Sequence, residues 1–127
     1  MYTYDYDFTY NPSMPVVPVE VTPFDRAGET IFLSAMLDSG SDGSMIPLKI
    51  LQQMKVRKSS QVTFRSITGA RSVADVYEVS LRLGSHTFPK VRVVADRHNT
   101  LAILGRDVLN HLIVTLNGLA AITEIHD

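Results

Sequence analysis

The stretch that decides the fold is IFLSAMLDSGS, residues 31–41, an apolar run that ends in an acid, two serines and a glycine. Its first seven residues carry no charge and place bulky side chains on both faces, which predicts a buried strand. Asp38 therefore follows a core strand, where a carboxylate needs hydrogen-bond partners because burial of an unpaired charge is costly. On its own, the triplet of Asp38, Ser39 and Gly40 is more simply interpreted as a turn, since these residue types dominate turns.

The composition predicts a single domain that folds without cysteine chemistry. The chain has 127 residues, no cysteine and a formal net charge of −1. Disulfides, thiol nucleophiles and cysteine-bound metals are therefore excluded, and a nucleic-acid partner is not expected. The sequence has neither an apolar run of about 18 residues nor a basic leader followed by an apolar segment. We therefore expect no membrane partner and, by default, a cytoplasmic location.

The hydrophobic pattern predicts a mostly β chain with two parts. Residues 1–13 alternate aromatic and polar side chains and are expected to form an extended arm, whereas residues 14–127 form the folded domain. Pro15, Pro18 and Pro23 surround a β-branched segment, residues 16–21. They restrict this segment to an edge or terminal strand, because proline has no backbone N–H to donate.

Short helices and hairpins are predicted for the remainder of the chain. Helices of about two turns are expected at residues 47–54, with Pro47 at the first helical position, and at residues 106–112. The Asn117-Gly118 pair predicts a tight closing hairpin. Residues 55–60 are expected to form a loop. A long hairpin is expected from residues 61–67 and 71–83, with its tip at residues 68–70.

Two apolar segments that end in glycine flank this long hairpin. The first is residues 31–40, and the second is residues 101–105, which read LAILG. With the segment ILGRDVL at residues 103–109 and TLN at residues 115–117, this order resembles the retropepsins, the retroviral type of aspartic protease, including stand-alone cellular and bacterial members. The resemblance covers residues 30–125. It implies an all-β, retropepsin-like single-lobe fold with one or two short helices, active as a two-fold dimer.

The resemblance implies an aspartic endopeptidase that acts as a homodimer. The sequence contains one Asp-Ser-Gly triplet, whereas the chemistry of the family needs two carboxylates, so a second copy must supply the other Asp38. Two carboxylates a few Å apart share one proton. One then acts as a base toward a bound water, and the other acts as an acid toward the peptide carbonyl. A peptide or protein would be the substrate, and neither a metal nor a cofactor is expected.

The resemblance also implies roles for the residues that follow Asp38. Ser39 would bond across the two-fold axis to the backbone of the second subunit, and Gly40 would donate its N–H to the carboxylate. The hydroxyl of Ser41 would bond the outer carboxylate oxygen and favour its charged form. This hydrogen bond predicts an acidic optimum for activity.

More distant residues complete the implied site. Asp42 and Arg106 occupy positions that pair in the family, and an arginine at a helix start could hold a carboxylate with two hydrogen bonds. The alternative is two unrelated surface charges. Ile67, Thr68 and Gly69 would form a flap that closes on an extended peptide, although the same residues could be the tip of an ordinary exposed hairpin.

The remaining charged side chains are expected to be structural or solvated. Asp96 and Asp107 lie near predicted turns or helix starts, where a carboxylate has a structural role. A local group of basic residues could attract an acidic substrate or RNA, but a solvated loop is the simpler interpretation. The four histidines lack the spacing of metal ligands and are expected at the surface. The basic residues are Lys49, Lys55, Arg57, Lys58, Arg65 and Arg71, and the histidines are His86, His98, His111 and His126.

Two alternatives to a stand-alone protease are open at the level of sequence. The chain could be a non-proteolytic dimerisation or peptide-binding module, because its flap tip, SITGA at residues 66–70, is poorer in glycine than the viral flap. It could also be a protease domain from the polyprotein of a mobile element. The resemblance further implies that the chain ends of two subunits interleave in one sheet, although residues 119–125 could instead pack within one subunit.

Overall fold

A computed structural model describes residues 1–25, 28–65 and 68–127 of the chain. Strands dominate these ranges, and two short helices interrupt them. The strands are β1 Tyr2–Asp5, β2 Val16–Pro23, β3 Ile31–Leu37, β4 Met45–Pro47, β5 Lys58–Arg65, β6 Arg71–Leu83, β7 His86–Asp96, β8 Ala102–Leu104, β9 Val114–Asn117 and β10 Ile122–Ile125. The helices are α1 Leu48–Gln53 and α2 Arg106–Leu109.

Seven strands form one large sheet in the order β2-β3-β8-β4-β7-β6-β5, and β2 also pairs with β6. This additional pairing closes the sheet on itself, so that its strands surround one apolar core. Val17, Val79 and Val93 are fully buried there. Each helix adds one buried side chain to the same core, Leu51 from α1 and Val108 from α2. The predicted all-β architecture is confirmed.

β3 is the predicted central strand, but it is not buried along its whole length. It lies between β2 and β8 in the sheet. Ala35 is fully buried, whereas Phe32 is 68% exposed and Ser34 is also exposed. The prediction that both faces are buried is wrong for the first half of the strand. It rested on the absence of charged residues, and apolar side chains are also common on protein surfaces.

The prolines do not confine β2 to an edge of the sheet. Residues 16–21 pair with β3, and residues 20–23 pair with β6, so Glu20 and Val21 have a paired neighbour on each side. The prediction of an edge strand is wrong for these two residues. Pro18 lies in the first half, which among the described residues pairs with β3 on one side, and a strand with one open side tolerates proline.

The short elements differ from the predictions in their boundaries. Pro47 is the N-cap of α1 with an extended ψ of 132°, and the helix begins one residue later. α2 has a single turn, because beyond it the N–H groups of His111 and Leu112 bond three residues back instead of four. β5 begins inside the predicted loop 55–60, since Lys58 already pairs with β6. Within the described residues, neither helix has the length and apolarity needed to span a membrane.

A second sheet contains three strands in the order β1-β10-β9. β1 belongs to the predicted arm and pairs antiparallel with β10 of the same chain, from Tyr2 opposite Ile125 to Asp5 opposite Ile122. β9 pairs with the other side of β10. The arm is therefore docked within its own chain, and interleaving of the chain ends of two subunits stays a prediction.

The closing hairpin has a longer connection than the Asn-Gly pair predicts. Residues 118–121 join β9 to β10, and the Asn117 side chain accepts a hydrogen bond from a backbone N–H of this connection at 3.1 Å. A two-residue turn would place Ile125 opposite Asn110, which is already the C-cap of α2. The observed register instead places the fully buried Ile125 opposite Val114, which also packs against the core.

We expect Val79→Ala to lower the free energy of unfolding by about 2–3 kcal/mol, because it removes two buried methyl groups and leaves a cavity in the core. Val73 lies on the same strand but is 64% exposed, so Val73→Ala is the matched control and should change stability by less than about 0.5 kcal/mol. Urea unfolding of the three proteins measures the difference. Equal destabilisation by the two variants would contradict the assignment of the core.

Candidate active site

Asp38 directly follows β3 and takes part in three hydrogen bonds. Its N–H donates to the Leu104 carbonyl at 3.0 Å, and its carbonyl accepts the Ser41 N–H at 3.1 Å. Its Oδ1 accepts the Gly40 N–H at 2.9 Å, as the resemblance implied. The turn itself therefore fixes the orientation of the partly exposed carboxylate.

The two apolar strands that precede a glycine lie side by side. β3 and β8 pair in parallel, from Ala35 beside Ala102 to Leu37 beside Leu104. Parallel strands run in the same direction, so their carboxyl ends lie at the same edge of the sheet. Asp38 and Gly105, which follow these ends, are brought together by this pairing.

Gly105 brings the loop after β8 into backbone contact with the loop after Asp38. A Cβ at position 105 would lie 2.5 Å from the Gly43 oxygen and 2.9 Å from the Ser41 oxygen. The next N–H along the chain, from Arg106, donates to the Ser41 carbonyl at 2.8 Å. Close approach of two backbones, and not an unusual φ, requires glycine here, because the φ of Gly105 is −91°.

Arg106 contacts the Asp-Ser-Gly turn through a partner that the resemblance did not imply. Its Nη1 donates to the Ser39 carbonyl oxygen at 2.8 Å. The ion pairs within the described ranges do not join Asp42 to Arg106, so the predicted pairing is not formed. The start of α2 lies against residues 39–41, and the guanidinium therefore braces the turn through a main-chain oxygen.

The hydroxyl of Ser41 does not bond the carboxylate. It donates to the Gly43 carbonyl at 2.7 Å, two residues further on, which tightens the loop locally. The prediction that this hydroxyl favours charged Asp38 is therefore wrong, and an acidic optimum cannot be derived from it. The bond from Ser39 across a two-fold axis stays a prediction.

A buried serine joins the two loops in a way that sequence reasoning missed. Ser44 is 1% exposed, and its hydroxyl donates to Asp107 Oδ1 at 2.7 Å while accepting the Gly105 N–H at 3.0 Å. Its backbone N–H donates to Asp107 Oδ2 at 3.1 Å. The partners are 63 residues apart, so no local pattern reveals the pair. The sequence signal that could have pointed to this contact was Asp107, an acid in the first turn of a helix. The structural role predicted for Asp107 is confirmed.

Asp96 also has the structural role predicted for it. It is buried at the end of β7, and its carboxylate accepts hydrogen bonds from the N–H groups of His98 and Asn99 and from the Asn99 side chain. Burial raises the pKa of Asp96, but these hydrogen bonds outweigh burial, and the pKa lies below its ordinary value. The carboxylate is fully engaged in forming its own turn.

The histidines are not all at the surface. His98 and His111 are exposed, as predicted, but His86 and His126 are half-buried, and His86 Nε2 lies 2.7 Å from the His126 carbonyl oxygen. The surface prediction is wrong for these two because they join the start of β7 to the end of the chain's last strand. Across residues 1–25, 28–65 and 68–127, no group of three or more acidic or histidine side chains could hold a metal ion.

The predicted flap position is a hairpin of β5 and β6, which pair as far as Arg65 opposite Arg71. Thr68 and Gly69 are exposed at its tip, and Gly69 has a φ of +84°, which glycine adopts without strain. Ile67 lies outside the described residues. The basic residues Lys58, Arg65 and Arg71 are exposed, as predicted, and Arg65 and Arg71 lie on the predicted strands of the hairpin. Lys58 also lies on a strand, so its predicted loop position is wrong.

An open cleft of about 540 Å³ lies between the hairpin and the loop that follows Asp38. Residues 41–43, Met45 and Val94 line one side, and Thr63 and Arg65 of β5 line the other. Polar backbone, apolar side chains and two opposite charges therefore border one groove. Such a groove suits an extended chain that carries both backbone polar groups and side chains.

Comparison with known proteins agrees with this geometry. The sequence profile of a family described as aspartyl protease matches residues 17–108, which include both strands and both loops of the site. The chain belongs to the aspartyl protease family. A search of curated proteins finds no match. The profile therefore confirms the predicted aspartic protease family.

Several solved proteases share the fold at low sequence identity. The EIAV protease complexed with the inhibitor HBY-793 is 22% identical, with a TM-score of 0.61 over 77% of this chain and 86% of that chain. A retropepsin-like aspartic protease from Rickettsia conorii is 8% identical, with a TM-score of 0.60 over 99% and 94%. The simian foamy virus protease is 18% identical, with a TM-score of 0.55 over 75% and 91%.

We expect Gly105→Ala to displace one of the two loops and to lower the free energy of unfolding by about 1–3 kcal/mol, because the new Cβ would overlap main-chain atoms that cannot rotate away. Gly43→Ala is the matched control. A Cβ at position 43 would meet nothing within 4 Å, so this variant should stay within about 0.5 kcal/mol of the parent. Thermal and urea unfolding measure both, and equal stability of the two variants would contradict the described contact.

Proposed function

We propose that this chain is an aspartic endopeptidase whose active site is assembled from two copies, each of which contributes Asp38. The observation that carries the proposal is the partly exposed Asp38 carboxylate, oriented by the Gly40 N–H at the end of β3 in the turn that leads into residues 41–43, which line an open cleft. Membership of the aspartyl protease family supports the same chemistry. These 127 residues contain one Asp-Ser-Gly triplet, and in the proposal a second copy of the chain supplies the second carboxylate.

The proposed reaction uses water as the nucleophile. Two Asp38 carboxylates close together share one proton, because two adjacent negative charges repel each other. The charged carboxylate takes a proton from a water molecule held between them, and the oxygen of that water attacks the peptide carbonyl carbon. The protonated carboxyl keeps its proton and donates a hydrogen bond to the developing oxyanion. As the carbon–nitrogen bond breaks, the carboxyl that took the proton from water passes it to the leaving amine nitrogen.

The cleft and the hairpin tip would bind the substrate. An extended peptide offers its backbone N–H and C=O groups to the loop at residues 41–43 on one side and to β5 and its tip on the other. Ile67, Thr68 and Gly69 are proposed to close over the peptide and exclude water from the carboxylates. Thr63, Arg65 and Met45 would then contact substrate side chains.

We expect Asp38→Asn to reduce peptide cleavage by at least about 10³-fold, because an amide can neither accept the proton from water nor return it. Thermal unfolding should show that the variant remains folded, since asparagine keeps the acceptor oxygen for the Gly40 N–H. Asp25→Asn is the matched control, an exposed acid that follows β2 and does not line the cleft. Cleavage of a peptide library across acidic and neutral pH is the measurement.

Two outcomes of that assay would overturn the proposal. Equal cleavage by the parent chain and by Asp38→Asn would place the activity elsewhere or in a contaminant. Peptide binding by the parent chain without cleavage at any pH would instead favour the peptide-binding module. The poor glycine content of residues 66–70 is the sequence feature that would then explain the absence of turnover.

Activity is expected to be highest at acidic pH, because the pair of carboxylates must retain one proton. Ser41→Ala should leave the position of this optimum unchanged, since the Ser41 hydroxyl donates to the Gly43 carbonyl and not to Asp38. The measurement is kcat/KM as a function of pH for the parent and the variant. A displaced optimum in Ser41→Ala would show that the hydroxyl acts on the carboxylates after all.

A further inference from the structure

We propose that Tyr10 of the N-terminal arm is a specificity-determining residue, which forms one wall of a groove that selects an aromatic side chain of the substrate peptide. The inference deepens the proposed function and rests on it, because it assigns a preference to the same site. The family profile begins at residue 17, so this wall lies in a part of the chain that the profile does not match.

The groove has a volume of about 340 Å³ and lies beside β3 and β8. Tyr10 and Met14 line it from the arm, Met36 lines it from β3, and Ile103 lines it from β8. Residues 98–101, which belong to the loop between β7 and β8, complete the lining. Three separate segments of the chain therefore meet around one groove.

The groove lies on the face of the sheet that carries Asp38. Ala35 is fully buried in the core, so the next side chain, that of Met36, projects from the opposite face. The Asp38 N–H donates to the Leu104 carbonyl and continues the pairing with β8, so Asp38 shares the face of Met36 two residues earlier. Two residues of a strand span about 7 Å. The groove is therefore close to the substrate residues that flank the cleaved bond.

The groove adjoins the open cleft that residues 41–43 line. Ile103 lies opposite Met36 of β3 and opposite Met45 of β4. Residues opposite each other on paired strands project from the same face, and Met45 is one of the side chains that line the cleft. The three half-buried side chains form one apolar row. An extended peptide in the cleft would thus find an adjoining groove for one of its side chains.

The arm is fixed where it forms the wall of the groove. The Asp7 N–H donates to the Met14 carbonyl at 2.8 Å, and the Met14 N–H donates to the Asp7 carbonyl at 3.0 Å. Asp7 Oδ1 also accepts the Thr9 N–H at 2.9 Å and the Thr9 hydroxyl at 2.6 Å. The Tyr6 N–H donates to the Ala121 carbonyl at 2.9 Å and ties the arm to the small sheet. Residues 7–14 therefore form a closed and anchored turn, the arm turn.

The loop on the other side of the groove is fixed as well. The Asp96 carboxylate accepts the N–H groups of His98 and Asn99 at 2.9 and 3.2 Å. Both sides are therefore held by hydrogen bonds within the chain itself. A groove whose sides are already in place binds a side chain without the cost of ordering them.

The side chains that line the groove match an aromatic group. Tyr10 is 37% exposed, and a tyrosine ring packs favourably against another aromatic ring. Met14 and Met36 are flexible, and their thioether sulfurs make attractive contacts with aromatic rings. None of the described residues that line the groove is acidic apart from the nearby catalytic turn, so a cationic side chain of the substrate would find no partner in the groove.

We expect the parent chain to prefer phenylalanine over alanine at one of the two substrate positions nearest the cleaved bond. Tyr10→Ala should reduce this preference, measured as the ratio of kcat/KM for the two peptides, about tenfold, because phenylalanine loses its aromatic partner. Tyr10→Phe keeps the ring and should retain the preference. The measurement is cleavage of paired peptides that differ at one position.

Phe8→Ala is the matched control, because Phe8 belongs to the same arm turn but is 71% exposed and does not line the groove. Its ratio of kcat/KM should equal that of the parent. Thermal unfolding checks that each variant is folded. Tyr10→Leu, which keeps apolar bulk but has no ring, replaces Tyr10→Ala if that variant is unfolded, and should also lower the preference.

Three outcomes would overturn the inference. A parent chain without an aromatic preference at either position would show that the groove selects nothing. An equal loss of kcat/KM for both peptides in Tyr10→Ala would show that the ring only supports the fold. An equal gain for both peptides would show that the ring obstructs the groove.

A binding measurement separates this inference from the proposed protease. The Asp38→Asn chain is titrated with the same fluorescently labelled peptides, and Tyr10→Ala in this background should reduce the ratio of their affinities about tenfold. Such a selective loss, with no cleavage by the parent chain, would support the groove and overturn the protease. Cleavage that depends on Asp38 but keeps its preference in Tyr10→Ala would support the protease and overturn the groove.

Discussion

The site depends on the direct approach of the Gly105 backbone to the backbone of residues 41–43. No side chain larger than hydrogen fits at position 105, because a Cβ there would overlap the Gly43 oxygen. The parallel pairing of β3 with β8 creates this approach, since it ends two strands at the same edge of the sheet. Hydrogen bonds from Ser44 and Arg106 then join the two loops. The orientation of Asp38 follows from this framework.

The framework uses main-chain groups and leaves Asp38 accessible. Gly40 donates to the carboxylate, Leu104 accepts from its backbone, and the hydroxyls of Ser41 and Ser44 are engaged with the loops. A carboxylate held by its own turn keeps acceptor capacity for a water molecule and for a second carboxylate. This arrangement suits the proposed site, in which the single chain fixes the geometry of one acid and a second copy would supply the other.

The sequence was sufficient for the features that follow from local chemistry. The apolar run before Asp38, the glycine at position 105 and the long hairpin between them predicted the fold and the candidate acid. Contacts between residues far apart in the chain could not be predicted from local sequence patterns. Ser44 and Asp107 are 63 residues apart. Whether the Arg106 side chain binds Asp42 or the Ser39 carbonyl depends on how α2 packs against the turn. The closing hairpin was mispredicted for the same reason, because burial of Ile125 overrode the preference of Asn-Gly for a two-residue turn.

The proposed catalysis needs two chains, and a mixing experiment tests that requirement most directly. Parent chain at fixed concentration is incubated with increasing amounts of the Asp38→Asn chain, and peptide cleavage is measured after the subunits have exchanged. If each active site needs two Asp38 carboxylates, cleavage per parent chain should fall to about half at equal amounts and approach zero in excess, because mixed dimers hold one acid. Cleavage that is unaffected by excess Asp38→Asn chain, under conditions where the chains exchange, would contradict the account.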